Sequence, residues 1–402
     1  MTVRLIKSAL RTCVRVFIRL RNWRGRISPS QCSKFLFLQY EVPLGSAIMV
    51  TPVFEALKRT IPAAHIVVAC GKTAWQVLKD NPFIDELILT RDPVSNFWHA
   101  VWDFIRLVLP RVRRVECAIT DAWNRRSRIA FLSMLSPAKI RLGFTLVKGL
   151  YDIPLDYDEQ TGMLANNMGI VEALGHSCES IEPAIYFSAK DRDAATEFLR
   201  QAGYENATCL VAITSQTSGG HPEKRRWRAE WFAAVADHLV ELPGYRVVFL
   251  GTERERPAID NIRSLMKGPS ESAAGRFAVS ELAAFLAQCD LLLTLDTGTL
   301  HVGRAVGVPA VVIARPWQPP QEWLPPSTLD LYRVLMKSDI VDECRRNPNF
   351  SAPYEIDEIN VSEVLDAIDD QLRRFPPTAE SRSGRLTARM APTLLGRYTY
   401  MD

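Results

Sequence analysis

Two successive series of alternating strands and helices run along the chain, and this alternation limits the folds open to it. Short apolar runs predict strands, and amphipathic segments between them predict helices, including one over 46–60. The predicted strands are 34–40, 64–70, 86–90, 116–120, 137–144, 208–214, 245–251, 290–295 and 309–314. Such alternation is typical of parallel sheets covered by helices on both faces. The sequence therefore predicts an α/β fold of two doubly wound, Rossmann-like domains that face an interdomain cleft.

A polar, proline-containing stretch at 178–191 interrupts the alternation and marks the predicted linker. We accordingly predict an N-terminal Rossmann-like domain at 34–180 and a C-terminal one at 181–374. The last segment, 375–402, is rich in Pro, Ser and Arg, and we predict that it is a flexible tail. Ligands of doubly wound sheets bind at the carboxyl ends of the strands, so the cleft is the expected site.

Residues 1–33 are predicted to form a basic, amphipathic arm. Residues 1–40 carry nine Lys and Arg and no acid, whereas the rest of the chain has more acids than bases, which argues against a nucleic-acid binder. If residues 1–26 form a helix, apolar side chains lie on one face and basic side chains on the opposite face. Basic residues occur too often in this segment for it to span a bilayer. We predict that 1–26 binds an anionic membrane surface. A mitochondrial presequence and a helix packed on the protein itself are the alternatives.

The triplet Asp296-Thr297-Gly298 joins a predicted strand to a predicted helix. Such a turn directs helix N–H groups and the positive end of the helix dipole towards the ligand edge, which favours an anion. Gly298 permits close approach of the backbone, and His301 in the first turn can donate to a phosphate oxygen. An aspartic protease, which shares this triplet, would need an all-β fold. A simple N-terminal cap of the helix remains an alternative.

Two further stretches follow strands of the same predicted domain. Lys224 and Arg225 lie after the strand 208–214 and suit a pyrophosphate, although a solvated run of charge would look the same. Glu253 follows the strand 245–251 and could accept hydrogen bonds from ribose hydroxyls.

Together these stretches resemble the ADP-heptose:lipopolysaccharide heptosyltransferases of glycosyltransferase family 9. The resemblance covers about residues 34–345. The segments that carry it are PLGSAIMVTPVFEALKR, EKRRWRAEWF, GTERE, LDTGTLHVGRAVGVPAVVI and QEWLPP. It implies a GT-B-like fold with an acceptor-side N-terminal domain and a donor-binding C-terminal domain. It also implies inversion at the anomeric carbon, with no metal and no cofactor.

The resemblance assigns roles to residues of the donor domain. Asp296, Thr297 and Gly298 match the turn that binds the donor pyrophosphate, and His301 matches its histidine. Glu253 matches the glutamate that holds the nucleoside. The family has a basic residue, usually Lys, two positions before a Trp. Here that residue is Arg225, with Lys224 beside it.

One position departs from the family pattern. Ser46 stands where the family has the aspartate regarded as the base for the acceptor hydroxyl. A serine hydroxyl is too weak a base, so another carboxylate must replace it or turnover is slow. Glu41 and Asp121, at the ends of two predicted strands, are the candidates, and each could equally be a cap or a surface acid.

We therefore expect an inverting glycosyltransferase that moves heptose from ADP-heptose to a lipopolysaccharide-type, lipid-linked acceptor. Its expected location is cytoplasmic and peripheral, on the inner face of the cytoplasmic membrane. Transfer of another sugar, transfer to a protein, and binding of sugar nucleotide without efficient turnover remain alternatives. The eight cysteines form no C-x-x-C pair, which argues against a zinc site.

Overall fold

The computed structural model describes residues 27–145, 149–179, 181–216, 227–314, 322–337, 358–392 and 398–399. These residues form two compact units. The first holds the described residues up to Asp158, then Met163–Ile181 and the short strand at 398–399. The second holds Glu159–Gly162 and the other described residues from Glu182 onward.

Thirteen strands and thirteen α-helices lie in the described residues. The strands are β1 Lys34–Gln39, β2 His65–Cys70, β3 Glu86–Leu89, β4 Cys117–Thr120, β5 Ile140–Phe144, β6 Ile153–Leu155, β7 Cys209–Thr214, β8 Tyr245–Leu250, β9 Glu271–Ser272, β10 Leu291–Leu295, β11 Ala310–Ile313, β12 Tyr332–Leu335 and β13 Tyr398–Thr399. The helices are α1 Leu44–Met49, α2 Thr51–Thr60, α3 Lys72–Leu78, α4 Phe97–Asp103, α5 Ser127–Leu135, α6 Gly162–Ala173, α7 Ala189–Ala202, α8 Ala229–Glu241, α9 Arg256–Leu265, α10 Val279–Leu286, α11 Gly298–Val306, α12 Val361–Arg374 and α13 Ala379–Arg389. None of these helices is both long enough and apolar enough to cross a bilayer.

The sheet of the first unit has the order β13-β3-β2-β1-β4-β5-β6, and every neighbouring pair is parallel. β1 is central and pairs with both β2 and β4. The chain therefore builds outward from β1 in one direction and then returns to build in the other. In such a sheet the crevice at the carboxyl ends of the two strands where the order reverses is the usual ligand site.

The sheet of the second unit repeats this plan with the order β12-β11-β10-β7-β8-β9. β7 is its central strand and pairs in parallel with both β8 and β10. Its core is formed by the apolar side chains of these strands and by α8, α9 and α12, with Trp227, Phe232 and Phe249 among the buried residues. Both sheets agree with the predicted α/β class.

The predicted helix 46–60 is divided into α1 and α2 at Val50. Proline causes the break, because Pro52 has no N–H to donate to the carbonyl of Ile48. The hydroxyl of Thr51 donates to that carbonyl instead, at 2.8 Å. Ser46 lies in the middle of α1, four residues before the division.

Residues 375–402 were predicted to be a flexible tail, and this prediction was wrong for 379–389. These residues form the helix α13, which packs on the second unit. Arg382 Nε donates to Asp290 Oδ1 at 2.8 Å, and Arg385 Nε donates to the carbonyl of Ala287 at 3.1 Å. Asp290 is buried and needs a cation, which a residue 92 positions away in the sequence provides. β13 then pairs with β3 in the first unit.

The membrane-binding prediction for the arm falls on residues 1–26, which lie outside the described part of the chain. The remainder of the predicted arm, 27–33, is described. It contains a single 3-10 turn at Pro29–Gln31 and leads directly into β1.

Candidate functional site

The predicted phosphate turn lies at the reversal of strand order in the second unit. β10 ends at Leu295, Asp296 and Thr297 turn the chain, and α11 begins at Gly298. The neighbouring strand β7 ends at Thr214, whose backbone is in register with Thr294 of β10. The topology thus brings the turn beside Ser215, the buried residue that follows β7.

The residue at the cap position of α11 does not cap the helix with its side chain. Thr297 occupies the cap position with an extended backbone, but its side chain accepts no hydrogen bond from the helix. Its buried Oγ1 has no partner within the described residues, and neither has the buried Oγ1 of Thr214. A helix begun without a side-chain cap leaves N–H groups for an outside acceptor. Thr297 is therefore not the cap of this helix, and the position of the turn is compatible with an anion.

His301 lies one turn into α11 and is buried, with its ring centre 5.9 Å from that of Trp323. Burial, with a smaller contribution from the nearby Arg304 charge, lowers the pKa of His301 to about 4. The imidazole is therefore neutral near pH 7. Its Nδ1 has no hydrogen-bond partner in the described part of the chain. A neutral imidazole can still donate one N–H, so the predicted contact with a phosphate oxygen is chemically available.

Glu253 lies beyond the end of β8, the strand next to β7, on the 3-10 turn Glu253–Glu255. Its carboxylate is well exposed and accepts two hydrogen bonds from Arg256, at 2.8 Å from Nε and 2.6 Å from Nη2. These bonds lower the pKa of Glu253. The group is thus ionised, oriented and open to solvent, which is compatible with accepting from ribose hydroxyls.

Lys224 and Arg225 lie outside the described residues. The nearby Trp227 is described and is a core residue. Its indole N–H donates to the carbonyl of Ile359 at 2.7 Å, and its ring meets Phe232 edge to face with 4.9 Å between centres. Trp227 therefore anchors the start of α8 at the end of the basic stretch.

Asp121 lies at the corresponding reversal point in the first unit, directly after β4. It is fully buried, and its Oδ1 accepts from the backbone N–H of Asn124 at 3.0 Å and from the Asn124 amide. Its Oδ2 has no hydrogen bond from the described residues. Burial raises the pKa of Asp121 to about 6, against the lowering effect of Asn124 and Gln39. The site thus holds a carboxylate that is more basic than usual and has one buried oxygen, Oδ2, without a hydrogen bond of normal geometry in the described residues.

Three buried polar side chains accompany Asp121, and sequence reasoning identified only one of them. Gln39 ends β1, the strand paired with β4, and its amide makes no hydrogen bond of normal geometry within the described chain. Ser46 on α1 is buried, and its hydroxyl also lacks a partner there. Asn167 accepts from the N–H of Ala122 at 2.9 Å and donates to the carbonyl of Met49 at 3.1 Å. It thereby fixes the residue after Asp121 against the end of α1.

Glu41, the other candidate base, has a different environment. Its backbone has φ +47°, a left-handed conformation that is uncommon for a residue with a side chain. Its carboxylate pairs with Arg126, and its carbonyl accepts from the indole of Trp123 at 3.1 Å. The arginine already balances the charge of Glu41, whereas no cation pairs with Asp121 in the described residues. Of the two acids, Asp121 has the properties of a base.

Comparison with known proteins gives one family for the chain. The family model described as glycosyltransferase family 9 (heptosyltransferase) matches residues 128–329. Lipopolysaccharide heptosyltransferase 3 of Escherichia coli is 21% identical over 296 residues, which are 68% of this chain and 83% of that protein. The region matched by the family model, 128–329, contains the turn at Asp296 and the end of β8. Glu41, Ser46 and Asp121 precede that region.

Solved structures share the fold. The glycosyl transferase family 9 structure from Veillonella parvula DSM 2008 has a TM-score of 0.75 at 24% identity, covering 87% of this chain and 99% of that one. E. coli ADP-heptose lps heptosyltransferase II has a TM-score of 0.67 at 17% identity, covering 85% and 99%. These matches confirm the predicted GT-B-like α/β class.

Because His301 is buried, we expect the free energy of unfolding to fall at acid pH. Its pKa falls from an ordinary value near 6.5 to about 4 in the folded chain. The contribution to stability is therefore complete above about pH 6.5 and is lost as the pH falls towards 4. Urea unfolding should show that His301→Asn removes about 3 kcal/mol of the pH dependence between pH 7.5 and 4. Equal curves for wild type and His301→Asn would contradict burial of a neutral ring.

Proposed function

The chain belongs to glycosyltransferase family 9, and we propose that it transfers heptose, with inversion, from ADP-heptose to a lipopolysaccharide-type acceptor. The observation that carries the donor half of this proposal is the start of α11 directly after β10, beside the reversal of strand order and with no cap from the Thr297 side chain. A nucleotide diphosphate needs a dense set of N–H donors, and a helix N-terminus beside a reversal point supplies them.

In the proposed donor complex, the pyrophosphate lies on the N–H groups of Gly298 and Thr299. His301 donates its one N–H as a neutral group, which avoids the cost of a buried cation when the site is empty. Lys224 and Arg225 approach from the segment after β7, and Glu253 accepts from the ribose. The leaving diphosphate gains charge as the glycosidic bond breaks, and donors fixed in advance stabilise that charge. These groups meet the charge without a metal ion or a cofactor.

We propose Asp121 as the base on the acceptor side. The acceptor oxygen attacks the anomeric carbon from the face opposite the diphosphate, and the bond from that carbon to the diphosphate oxygen breaks. The hydroxyl proton passes to Asp121 Oδ2, the oxygen that makes no hydrogen bond of normal geometry within the described residues. With a pKa of about 6, Asp121 is mostly ionised at pH 7 yet more basic than an ordinary carboxylate. Ser46 then contributes a hydroxyl contact rather than basicity.

We further propose that the protein is peripheral, on the inner face of the cytoplasmic membrane, through the basic arm at 1–26. The support is its sequence alone: arginines on one helical face and apolar side chains on the other. A lipid-linked acceptor would be concentrated on that surface.

The donor prediction concerns Gly298. Exchange to Val should weaken ADP binding about tenfold or more, because a branched side chain obstructs approach to N–H groups that bond a charged phosphate. Isothermal titration with ADP measures the change. Gly384→Val is the matched control, since Gly384 lies in helix α13 with open space around it. Unchanged ADP affinity in Gly298→Val would rule out this turn as the pyrophosphate site.

The base prediction concerns Asp121. Asp121→Asn preserves the shape of the side chain and should lower kcat by about two to four orders of magnitude with little change in ADP affinity. In the wild type, kcat/KM should rise with pH through about 6, and the variant should lose that rise. Glu41→Gln is the control and should retain most activity. Normal turnover by Asp121→Asn would refute the assignment, and a wild type inactive with every sugar nucleotide would favour a binding protein without turnover.

The arm prediction uses charge reversal in the full chain. The triple variant Arg4→Glu/Lys7→Glu/Arg11→Glu should sediment less with phosphatidylglycerol vesicles than the wild type does. Each basic residue near such a surface contributes about 1 kcal/mol, so the loss should be about a hundredfold. Undiminished binding would show that the arm is not the membrane contact.

A further inference from the structure

Helix α4 leaves an apolar face uncovered. Trp98, Trp102 and Ile105 are 77%, 60% and 45% exposed. They lie at i, i+4 and i+7, from α4 into the π-helical turn Phe104–Val108 that continues it, and this spacing places them on one face. In the described part of the chain only four large apolar side chains are exposed to this extent, and three of them are here.

The opposite face of this helix packs on the core of the first unit, and this packing fixes the helix in place. Phe104 and Val108 are buried in the core of the first unit with Ala100 beside them. The inner face therefore anchors the helix on the sheet. Trp98 meets the ring of Phe97 edge to face, with 5.3 Å between ring centres, but most of its surface is exposed to water. Exposing apolar side chains in this way is unfavourable.

The charge around this face is positive. Residues 97–114 contain four arginines and one aspartate. Arg106, Arg113 and Arg114 are exposed. The aspartate, Asp103, is buried and accepts from Arg91 Nε at 2.8 Å, so it presents no negative charge outward. The Nε of Arg111 lies 3.9 Å from the Oε2 of Glu86, an acid on strand β3.

We propose that the outer face of α4 docks on an anionic membrane surface, with the helix lying in the plane of the interface. Tryptophan has an apolar ring and a polar N–H and is enriched at the level of lipid headgroups. Arginines beside such rings match the phosphates of anionic lipids. The exposed set thus has the chemistry of a lipid interface, and its charge complements that surface.

The start of α4 contacts the helix that follows the loop carrying the candidate base. Arg128 at the start of α5 donates to the carbonyl of Val94 and lies over the ring of Phe97, the first residue of α4, at 5.9 Å. The loop before α5 carries Asp121 and its partner Asn124. The start of α4 and Asp121 therefore share the carboxyl edge of the sheet. Resting on the proposed function, this contact would deliver a lipid-linked acceptor to Asp121 from the membrane surface.

The test measures sedimentation of the full-length protein with phosphatidylglycerol-containing and pure phosphatidylcholine vesicles. Trp98→Ala/Trp102→Ala should lower the partition coefficient on phosphatidylglycerol about tenfold or more, because two indoles leave the interface. Arg106→Glu should weaken binding on the anionic vesicles alone. The controls are Leu265→Ala, which removes a side chain that is likewise 45% exposed but in the second unit, and Lys190→Glu, which reverses an exposed charge there.

Full partition by the double tryptophan variant, with a native circular dichroism spectrum, would overturn the proposal. So would a wild-type dimer in sedimentation velocity that dissociates on Trp98→Ala/Trp102→Ala while vesicle binding persists, since the face would then bind a second copy. Transfer to a soluble acceptor fragment separates this proposal from the enzymatic one. The double variant should retain that activity. The sedimentation assay tests vesicle binding through α4 independently of whether the wild type transfers sugar.

Discussion

Reversal of strand order is the constraint on which both candidate sites depend. β1 pairs with β2 on one side and β4 on the other, and β7 does the same with β8 and β10. At these two positions the helices that follow neighbouring strands leave in opposite directions, so the loops after the strands separate and a crevice opens. Asp121 stands in one crevice and the turn at Gly298 in the other. Neither needs a special loop, because the order of pairing alone creates the space.

Burial acts in opposite directions on the two titratable groups placed there. Desolvation opposes charge, so it raises the pKa of a carboxyl and lowers that of an imidazole. Asp121 becomes a stronger base by this effect, and His301 becomes a neutral donor. In each crevice the same physical cause gives the group the protonation behaviour that its proposed role requires. Glu41 has a different environment, since its carboxylate is partly exposed and pairs with Arg126.

Sequence reasoning predicted the elements with strong local signals and missed those that depend on distant partners. The apolar runs that became β1, β7 and β10 were visible because strands buried on both faces are continuously hydrophobic. The short strands β6, β9 and β13 have two or three residues each and carry no such pattern. In the site, the strand ends predicted the positions of Asp121 and the Asp296 turn. The sequence did not predict Gln39 or Asn167, because the role of a buried amide depends on residues distant in the sequence, such as Met49, which is 118 positions from Asn167.

The return of the chain to its starting unit has a consequence for biosynthesis. β13 is the outermost strand of the first sheet, and it lies after every element of the second unit in the sequence. A ribosome making this protein releases the first unit with the outer edge of β3 unpaired, and that edge stays open while the whole second unit emerges. Exposed strand edges are the places where nascent chains associate wrongly. The edge is covered only by residues that follow the whole second unit in the sequence, so the sheet of the first unit is completed after the second unit has been made.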